Sequence, residues 1–207
     1  MSVFPGNKPV LAAFDFDGTV TTADTFKVFF KWAMGRRRYY SALCRHFFVL
    51  AGFAMGLVDG TRAKQALLDS FVKGVSLEEF NGLVARFARG HRHLLRPAAL
   101  DAIAAHENAG DIVVVVTASV ERWVSALLDD RVPVIGTRLE VDGNGTLTGR
   151  LDGANCRGAE KVTRLERWLK AHGHAPLAEH LLVAYGDSDG DNELMAVAQE
   201  CHFKPFR

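Results

Sequence analysis

Cysteine is scarce in this chain, and its few cysteines are not arranged for a disulfide framework or a zinc site. The three cysteines among 207 residues are Cys44, Cys156 and Cys201, and no CxxC pair or Cys/His cluster at zinc spacing occurs. An odd and dispersed set of cysteines is typical of reduced thiols. We therefore expect a cytoplasmic protein without structural disulfides.

Strong net charge and long apolar runs are also lacking. The formal net charge is +1 at pH 7, which gives no electrostatic reason to expect a nucleic-acid partner. The apolar run at 47–58 would form a helix of about 18 Å, too short for a bilayer core of about 30 Å. Residues 1–18 contain no basic segment followed by a long apolar stretch, so we expect no signal peptide.

The chain does contain short apolar runs that end in polar residues, as is typical of strands. These runs lie at 10–19, 111–119, 132–151 (a short strand and then a hairpin around Asp-Gly-Asn-Gly), 180–191 and 201–206 (an edge strand). Helical patterns lie between them, at 96–110, 119–130 and 158–173. The alternation predicts an α/β fold with a Rossmann-like, mostly parallel sheet.

Residues 21–90 interrupt this alternation, because they contain no convincing strand and have the pattern of about four helices. An insertion after the first strand lies at the carboxyl edge of the sheet, where open α/β sheets bind their ligands. We therefore predict a catalytic core of residues 1–20 and 91–207 with an inserted helical cap of residues 21–90.

Polar side chains follow three of the predicted strands at the point where each strand ends. They are Asp15 and Asp17, then Thr117 and Ser119, and then Asp187, Asp189 and Asp191. One such group alone would be interpreted as a solvated turn, but parallel strands bring all three groups to one edge of the sheet. Crowded carboxylates repel each other unless a cation offsets their charge. All-oxygen ligation selects a hard cation, and we predict Mg²⁺.

Four ordered motifs in this chain resemble those of the haloacid dehalogenase-like hydrolases. They are "DFDGT" at 15–19, "VVVVTAS" at 113–119, the lysine of "GAEK" at 161 and "GDSDGD" at 186–191. A helical cap between the first two motifs is similar to the phosphoserine-phosphatase-like branch of that superfamily. The resemblance implies a Mg²⁺-dependent phosphoric monoester hydrolase.

The resemblance also implies a role for each acid. Asp15 would attack phosphorus and form an aspartyl-phosphate, and Asp17 would act as general acid and then general base. Asp15, the backbone carbonyl of Asp17 and Asp187 would hold Mg²⁺. Asp191 would orient that metal site.

The remaining motif residues would bind the phosphoryl group. Thr117 would donate a hydrogen bond to it, and Lys161 would neutralise its charge. Gly18 would let the backbone turn beneath it, and Thr19 follows in the motif. Ser119 has two interpretations, a phosphate ligand or the N-cap of the helix that follows.

The substrate is predicted less directly than the chemistry. Phosphoserine-specific members of the branch usually have a glutamate shortly after the first motif, where this chain has Asp24. Asp24 would either hold the substrate or cap the first cap helix. Gly190 also stands where many relatives have asparagine, which argues against phosphoserine.

A lipid substrate has separate support. The cap is rich in aromatic residues and contains three consecutive arginines within 35–40, a combination that favours docking on an anionic membrane. The alternative is that these aromatic side chains form the core of the cap. The cap and the segment 202–206 are similar to the phosphatidylglycerophosphatase C type, which acts on a lipid head-group phosphate. Arg62 and Lys64 are the cations expected over the substrate.

The favoured hypothesis is therefore a Mg²⁺-dependent phosphatase that acts on a lipid head-group phosphate and contacts the inner face of the membrane peripherally. A phosphoserine or other small-metabolite phosphatase and a phosphotransferase are the alternatives on the same fold. A phosphate-sensing scaffold without turnover is a third, but binding alone has no need of the second acid, Asp17.

Overall fold

The computed structural model describes residues 8–207, and a six-stranded sheet forms its centre. The strands are β1 (Val10–Phe14), β2 (Ile112–Val120), β3 (Val134–Val141), β4 (Leu147–Asp152), β5 (Leu181–Gly186) and β6 (Glu200–Phe203). Their order in the sheet is β4-β3-β2-β1-β5-β6, and only the β3–β4 pair is antiparallel. The predicted α/β fold with a mostly parallel sheet, a hairpin and a last edge strand is confirmed. Residues 1–7 lie outside the described residues. The predicted start of the core and the expectation of no signal peptide both concern this segment.

Both faces of the sheet are covered, which explains why its central strands are apolar without alternation. In β1, Ala12 and Phe14 face a core that includes Trp123. Leu11 and Ala13 face the opposite core, which includes Leu165. The helices after the cap segment are α5 (Pro97–Ala109), α6 (Glu121–Leu127), α7 (Ala159–Ala171) and α8 (Asn192–Ala196).

Helix α6 begins one residue later than the sequence pattern indicates. Strand β2 continues to Val120, which pairs with Thr137 of β3, and the first helical residue is Glu121. Ser119 is therefore not the N-cap of α6, and that interpretation was wrong. Its hydroxyl instead donates a hydrogen bond to Asp17.

Four helices lie between β1 and α5, as predicted for this segment. They are α1 (Thr25–Arg45), α2 (Phe47–Ala54), α3 (Gly60–Val72) and α4 (Leu77–His91). Asp24 caps α1, because its carboxylate accepts the Lys27 N–H at 3.2 Å and pairs with Lys27 Nζ at 2.9 Å. Among the described helices, none combines the length and the hydropathy needed to cross a bilayer.

The four helices pack firmly on the rest of the molecule. Their buried aromatic side chains form one cluster with Trp123 of α6, and they are Phe29, Phe30, Tyr39, Phe71, Phe80 and Phe87. The segment between α3 and α4 also pairs with the β3–β4 hairpin, where the Leu147 N–H donates to Val75 O at 2.9 Å. The helices are thereby held above the carboxyl edge of the sheet. The division into core and cap at residues 20/21 and 90/91 stays a prediction.

Candidate active site

The candidate active site lies at the carboxyl ends of β1, β2 and β5, which are neighbours in the sheet. Asp15 directly follows β1, and its N–H donates to Tyr185 O on β5 at 2.8 Å. Asp15, Thr117 and Asp187 line one cavity of about 720 Å³, whose opposite wall comes from α1, α2 and α3. The topology therefore brings together motif residues that are up to 172 positions apart in the chain.

A tight turn follows β1 and contains Asp17, the second acid of the first motif. Asp17 (φ −72°, ψ 121°) and Gly18 (φ 80°, ψ −16°) have the dihedral angles of the central positions of a type II turn. A Cβ atom at position 18 would lie 2.9 Å from Asp187 Cγ. Glycine is required here for two reasons, the positive φ and the close approach of Asp187.

A buried lysine joins two of the carboxylates. Lys161 Nζ lies 2.6 Å from Asp15 Oδ1 and 2.6 Å from Asp191 Oδ1. Asp191 Oδ2 accepts the N–H groups of Asp187 and Ser188 and the Ser188 hydroxyl, each at 3.1 Å. Burial opposes ionisation of Asp191, but Lys161 and these hydrogen bonds hold its pKa below the usual range. Asp191 therefore anchors the loop after β5 to Lys161.

Of the two carboxyl groups paired with Lys161, that of Asp15 is the harder to ionise. Burial raises the pKa of its carboxyl to about 7, although Lys161 acts in the opposite direction. The Thr19 hydroxyl lies 3.5 Å from Asp15 Oδ2. Burial works against the charge of Lys161 as well, but Asp15 and Asp191 raise its pKa above the ordinary value. The charged Lys161 lies beside a carboxyl group that burial makes harder to ionise. Such a pair is suited to a site that binds a phosphoryl group and a cation.

Asp17 belongs to a different hydrogen-bond network from Asp15. Its Oδ1 accepts the Thr25 N–H at 2.7 Å, and its Oδ2 accepts the Ser119 hydroxyl. Burial, with a contribution from Asp24, raises the pKa of the Asp17 carboxyl. Two acids one residue apart thus have separate partners and separate surroundings.

The acids around Lys161 form a set that could hold a cation. Asp15, Asp187 and Asp191 each offer a carboxylate oxygen, and these oxygens lie within 4.8 Å of one another. An all-oxygen donor set fits a hard divalent cation such as Mg²⁺. The Asp17 side chain is turned toward Thr25 and Ser119, so its predicted contribution would come from the backbone carbonyl.

The predicted phosphate-binding residues are divided between the cavity and its surroundings. Gly18, Thr117 and Ser119 line the cavity. Thr117 Oγ1 accepts the Ser119 N–H at 3.0 Å. Thr19 is buried beside Asp15 and does not line the cavity.

The two predicted cap cations have different positions. Lys64 reaches the cavity from α3, where its Nζ donates to Asn155 Oδ1 at 2.9 Å and to Ala118 O. Burial lowers the pKa of Lys64 to about 8. Arg62 is exposed and lies outside the cavity, and its N–H donates to Asp59 at the start of α3.

Sequence reasoning missed several residues of the cavity, and three polar ones are Asn155, Arg157 and Arg207. Asn155 and Arg157 come from the loop between β4 and α7, and the Arg207 guanidinium forms an ion pair with Asp187. None of them belongs to a motif or has a characteristic spacing, so no signal in a single sequence identifies them.

The cap side of the cavity is largely apolar. The apolar side chains that line it are Phe26, Tyr39, Leu43, Leu50, Phe53, Ala63 and Leu67. They come from three helices, and Lys64 stands among them with its Nζ 5.5 Å from the centroid of the Phe26 ring. The cavity therefore combines a polar floor with an apolar wall.

The sequence model of the haloacid dehalogenase-like hydrolase family matches residues 12–196, which include every motif described above. The chain belongs to that family. Protein CicA of Caulobacter vibrioides is 36% identical over 98% of this chain and 89% of its own length. A histidinol-phosphatase of Neisseria meningitidis is 29% identical over 47% of this chain and 45% of its own length.

Solved structures share the fold. A protein of unknown function from Bordetella pertussis Tohama I has a TM-score of 0.79 and 25% identity, over 94% of this chain and 89% of that one. A phosphoserine phosphatase solved as a phospho-aspartyl intermediate analogue has a TM-score of 0.64 and 20% identity, over 94% and 86%. The predicted family is confirmed, and with it the predicted hydrolase class and the fold of the phosphoserine-phosphatase-like branch.

Proposed function

We propose that this protein is a Mg²⁺-dependent phosphatase that forms an aspartyl-phosphate on Asp15. The observation that carries the proposal is the separation of the two acids. Asp15 is paired with Lys161, whereas Asp17 accepts hydrogen bonds from Thr25 and Ser119. This separation supports attack by one acid and proton transfer by the other.

In the first step, a carboxylate oxygen of Asp15 forms a bond to phosphorus while the bond to the ester oxygen breaks. Asp17 gives its proton to the leaving alkoxide, and its raised pKa favours the protonated form that this requires. In the second step, water attacks phosphorus, Asp17 accepts the proton of the water, and the bond from phosphorus to Asp15 breaks. Phosphate leaves, and both acids return to their starting states.

Lys161 and Thr117 would bind the phosphoryl oxygens during both steps. Lys161 already contacts Asp15, so its charge also favours ionisation of the nucleophile. Asp15, Asp187 and the Asp17 carbonyl would hold Mg²⁺, with Asp191 orienting the site. The bound cation would reduce the repulsion between the nucleophile and the phosphate.

We expect Asp15→Asn to abolish hydrolysis of phenyl phosphate, because an amide is a poor nucleophile at phosphorus. The matched control is Asp189→Asn, since the Asp189 side chain is exposed at the surface of the same site region. Initial rates and circular dichroism spectra of both variants provide the measurement. Full activity in folded Asp15→Asn would contradict the assignment of the nucleophile.

The intermediate can be trapped directly. Hydroxylamine attacks the carbonyl carbon of an acyl phosphate, so turnover in its presence should leave a hydroxamate on Asp15 that mass spectrometry detects. Addition of glycerol separates a hydrolase from a phosphotransferase, because only a transferase forms glycerol phosphate at the expense of inorganic phosphate. A scaffold protein would release no phosphate under any of these conditions.

For the substrate, we propose a phosphate on the head group of a lipid, with the protein in peripheral contact with an anionic membrane. The apolar wall of the cavity supports this, and so do exposed aromatic side chains next to it: Phe47 and Phe48 are 61% and 86% exposed. A small-metabolite phosphatase is the competing function, favoured by the names of the phosphoserine and histidinol phosphatases above. Relative kcat/KM values for phosphatidylglycerophosphate, phosphoserine and sugar phosphates decide between them.

A further inference from the structure

The cavity is lined by cationic as well as acidic side chains, and two of the cations have no ion-pair partner among the described residues. Four cationic side chains line it, and they are Lys27, Lys64, Arg157 and Arg207. Lys27 is paired with Asp24, and Arg207 is paired with Asp187. Within residues 8–207, Lys64 and Arg157 have no carboxylate partner within ion-pair distance.

Arg157 is accommodated by a glycine in the fourth motif. A Cβ atom at position 190 would lie 3.2 Å from Cγ, Cζ and Nη1 of Arg157, so the arginine side chain runs along the Gly190 backbone. The Gly158 N–H donates to Gly190 O at 3.0 Å and holds the two segments together. Any larger residue at position 190 would crowd the guanidinium.

Asn155 connects this arginine to Lys64 on the opposite side of the cavity. Its side-chain oxygen accepts from Lys64 Nζ at 2.9 Å and from the Thr137 hydroxyl at 3.0 Å. Its backbone oxygen accepts the Arg157 N–H at 2.8 Å. Lys64 thus has only uncharged oxygen partners, and Asn155 is the contact that both cationic residues share.

We propose that Lys64 and Arg157 form a subsite for a second anionic group of the substrate, a carboxylate or a phosphodiester. The proposal rests on the phosphatase function above, since the transferred phosphoryl group occupies the separate position at Asp15 and Lys161. Lys64 and Arg157 both line the cavity, and an anion bound between them would give each the ion-pair partner that it lacks among the described residues. A guanidinium also binds carboxylates and phosphates through two parallel hydrogen bonds.

Binding of phosphonates to the full chain in Mg²⁺ buffer tests this proposal, because a carbon–phosphorus bond resists hydrolysis. The probes are alkyl phosphonates that differ only at the far end, which is a methyl group, a carboxylate or a methyl phosphodiester. We expect the charged ends to lower Kd about tenfold, equivalent to about 1.4 kcal/mol. The charged end that lowers Kd more, the carboxylate or the phosphodiester, identifies the chemistry of the second anionic group.

Three variants make the test specific. Arg157→Gln should remove most of the gain, and Gly190→Ala should reduce it by displacing the guanidinium without removing a charge. Arg150→Gln is the matched control, because Arg150 lies on β4 outside the cavity and should keep the gain. Gly190→Ala and the control keep the test informative even where Arg157→Gln fails to fold.

Equal affinity of the wild-type protein for all three probes would overturn the proposal. A gain that survives in both folded Arg157→Gln and folded Gly190→Ala would overturn it as well. Hydrolysis of phenyl phosphate by the wild-type protein is assayed separately and judges the proposed function. If phenyl phosphate is not hydrolysed but the charged phosphonates still bind more tightly, the phosphatase function is rejected and the anion subsite is supported.

Discussion

Asp15 and Asp17 differ in chemistry because Asp15 directly follows β1 and Asp17 lies in the turn that comes next, so their side chains reach different partners. Asp15 faces Lys161, and Asp17 faces Thr25 and Ser119. The motif alone indicates two acids near a sheet edge, and its spacing does not reveal which hydroxyl contacts which carboxylate. Ser119 illustrates the limit, because local sequence favoured a helix cap and the extended strand β2 placed the hydroxyl on Asp17 instead.

The charge of the Lys64 side chain predicts how the gain in affinity from a second anionic group depends on pH. Burial lowers the pKa of Lys64 to about 8, so the amine loses its proton as the pH rises through that value. We expect the ratio of Kd values for the methyl and carboxylate phosphonates to fall between about pH 7 and pH 9. Binding calorimetry at several pH values provides the measurement.

Two other groups that act on Lys64, Arg157 and Cys156, do not produce this change. Arg157 keeps its charge throughout the range, and burial raises the pKa of Cys156 to about 11. Asp17 and Asp24 favour the charged lysine and shift its pKa upward. Lys64→Gln should give a flat profile, and a falling ratio in that variant would assign the titration to another group.

Among the secondary-structure elements, α2 departs most from the pattern of a buried cap helix. The aromatic residues of the cap fall into two classes, because Phe29, Phe30 and Tyr39 are buried whereas Phe47 and Phe48 are exposed. The cap-core interpretation therefore applies to the buried class, and membrane docking stays a prediction for the exposed class. The arginines at 36–38 in α1 are exposed as well.

We expect this element to bind anionic vesicles, and Phe48→Ser to weaken the binding about tenfold. That loss corresponds to about 1.4 kcal/mol, just below the range of about 1.5–3 kcal/mol for full burial of a large apolar side chain, as expected for partial insertion. Co-sedimentation with vesicles at low and high salt provides the measurement. Phe203→Ser is the control, because Phe203 is exposed on β6, outside the α2 segment.

Salt should weaken the binding, since exposed arginines attract anionic lipid through screened charges. Failure of the wild-type protein to sediment with anionic vesicles at low salt would reject the membrane contact. Hydrolysis of soluble phosphate esters would then point to a small metabolite as the substrate.

For the whole molecule, a cation bound at the predicted site would link the active site to folding stability. Asp15, Asp187 and Asp191 are brought together only in the folded state, so a cation bound there stabilises that state. Mg²⁺ at about 100 times its Kd should raise the free energy of unfolding by about 2.7 kcal/mol. Thermal denaturation with Mg²⁺ and after addition of a chelator measures the effect.

Asp187→Asn provides the comparison, because it removes one carboxylate while the buried Lys161 keeps its two partners. The variant should show a smaller rise in Tm with Mg²⁺ than the wild type. An equal rise in both proteins would place the cation elsewhere.

Sequence reasoning reached the fold class because its signals are local. Apolar runs at 10–14 and 112–116 require burial on both faces, and that requirement predicts a parallel sheet without knowledge of any contact. Pro97 and Gly110 mark the ends of α5 for equally local reasons, a fixed φ at one end and a left-handed residue at the other. The acids at the strand ends followed from the same reasoning.

What the sequence determined by itself was thus the order of strands and helices, the family and the acids that follow β1 and β5. Only the tertiary structure decided which side chains meet in the cavity, because contacts such as Lys64 with Asn155 or Arg157 over Gly190 join positions that no short motif includes. The exposure of Phe48 was decided in the same way. Burial depends on how helices from distant segments pack, and a single sequence carries no direct signal of that packing.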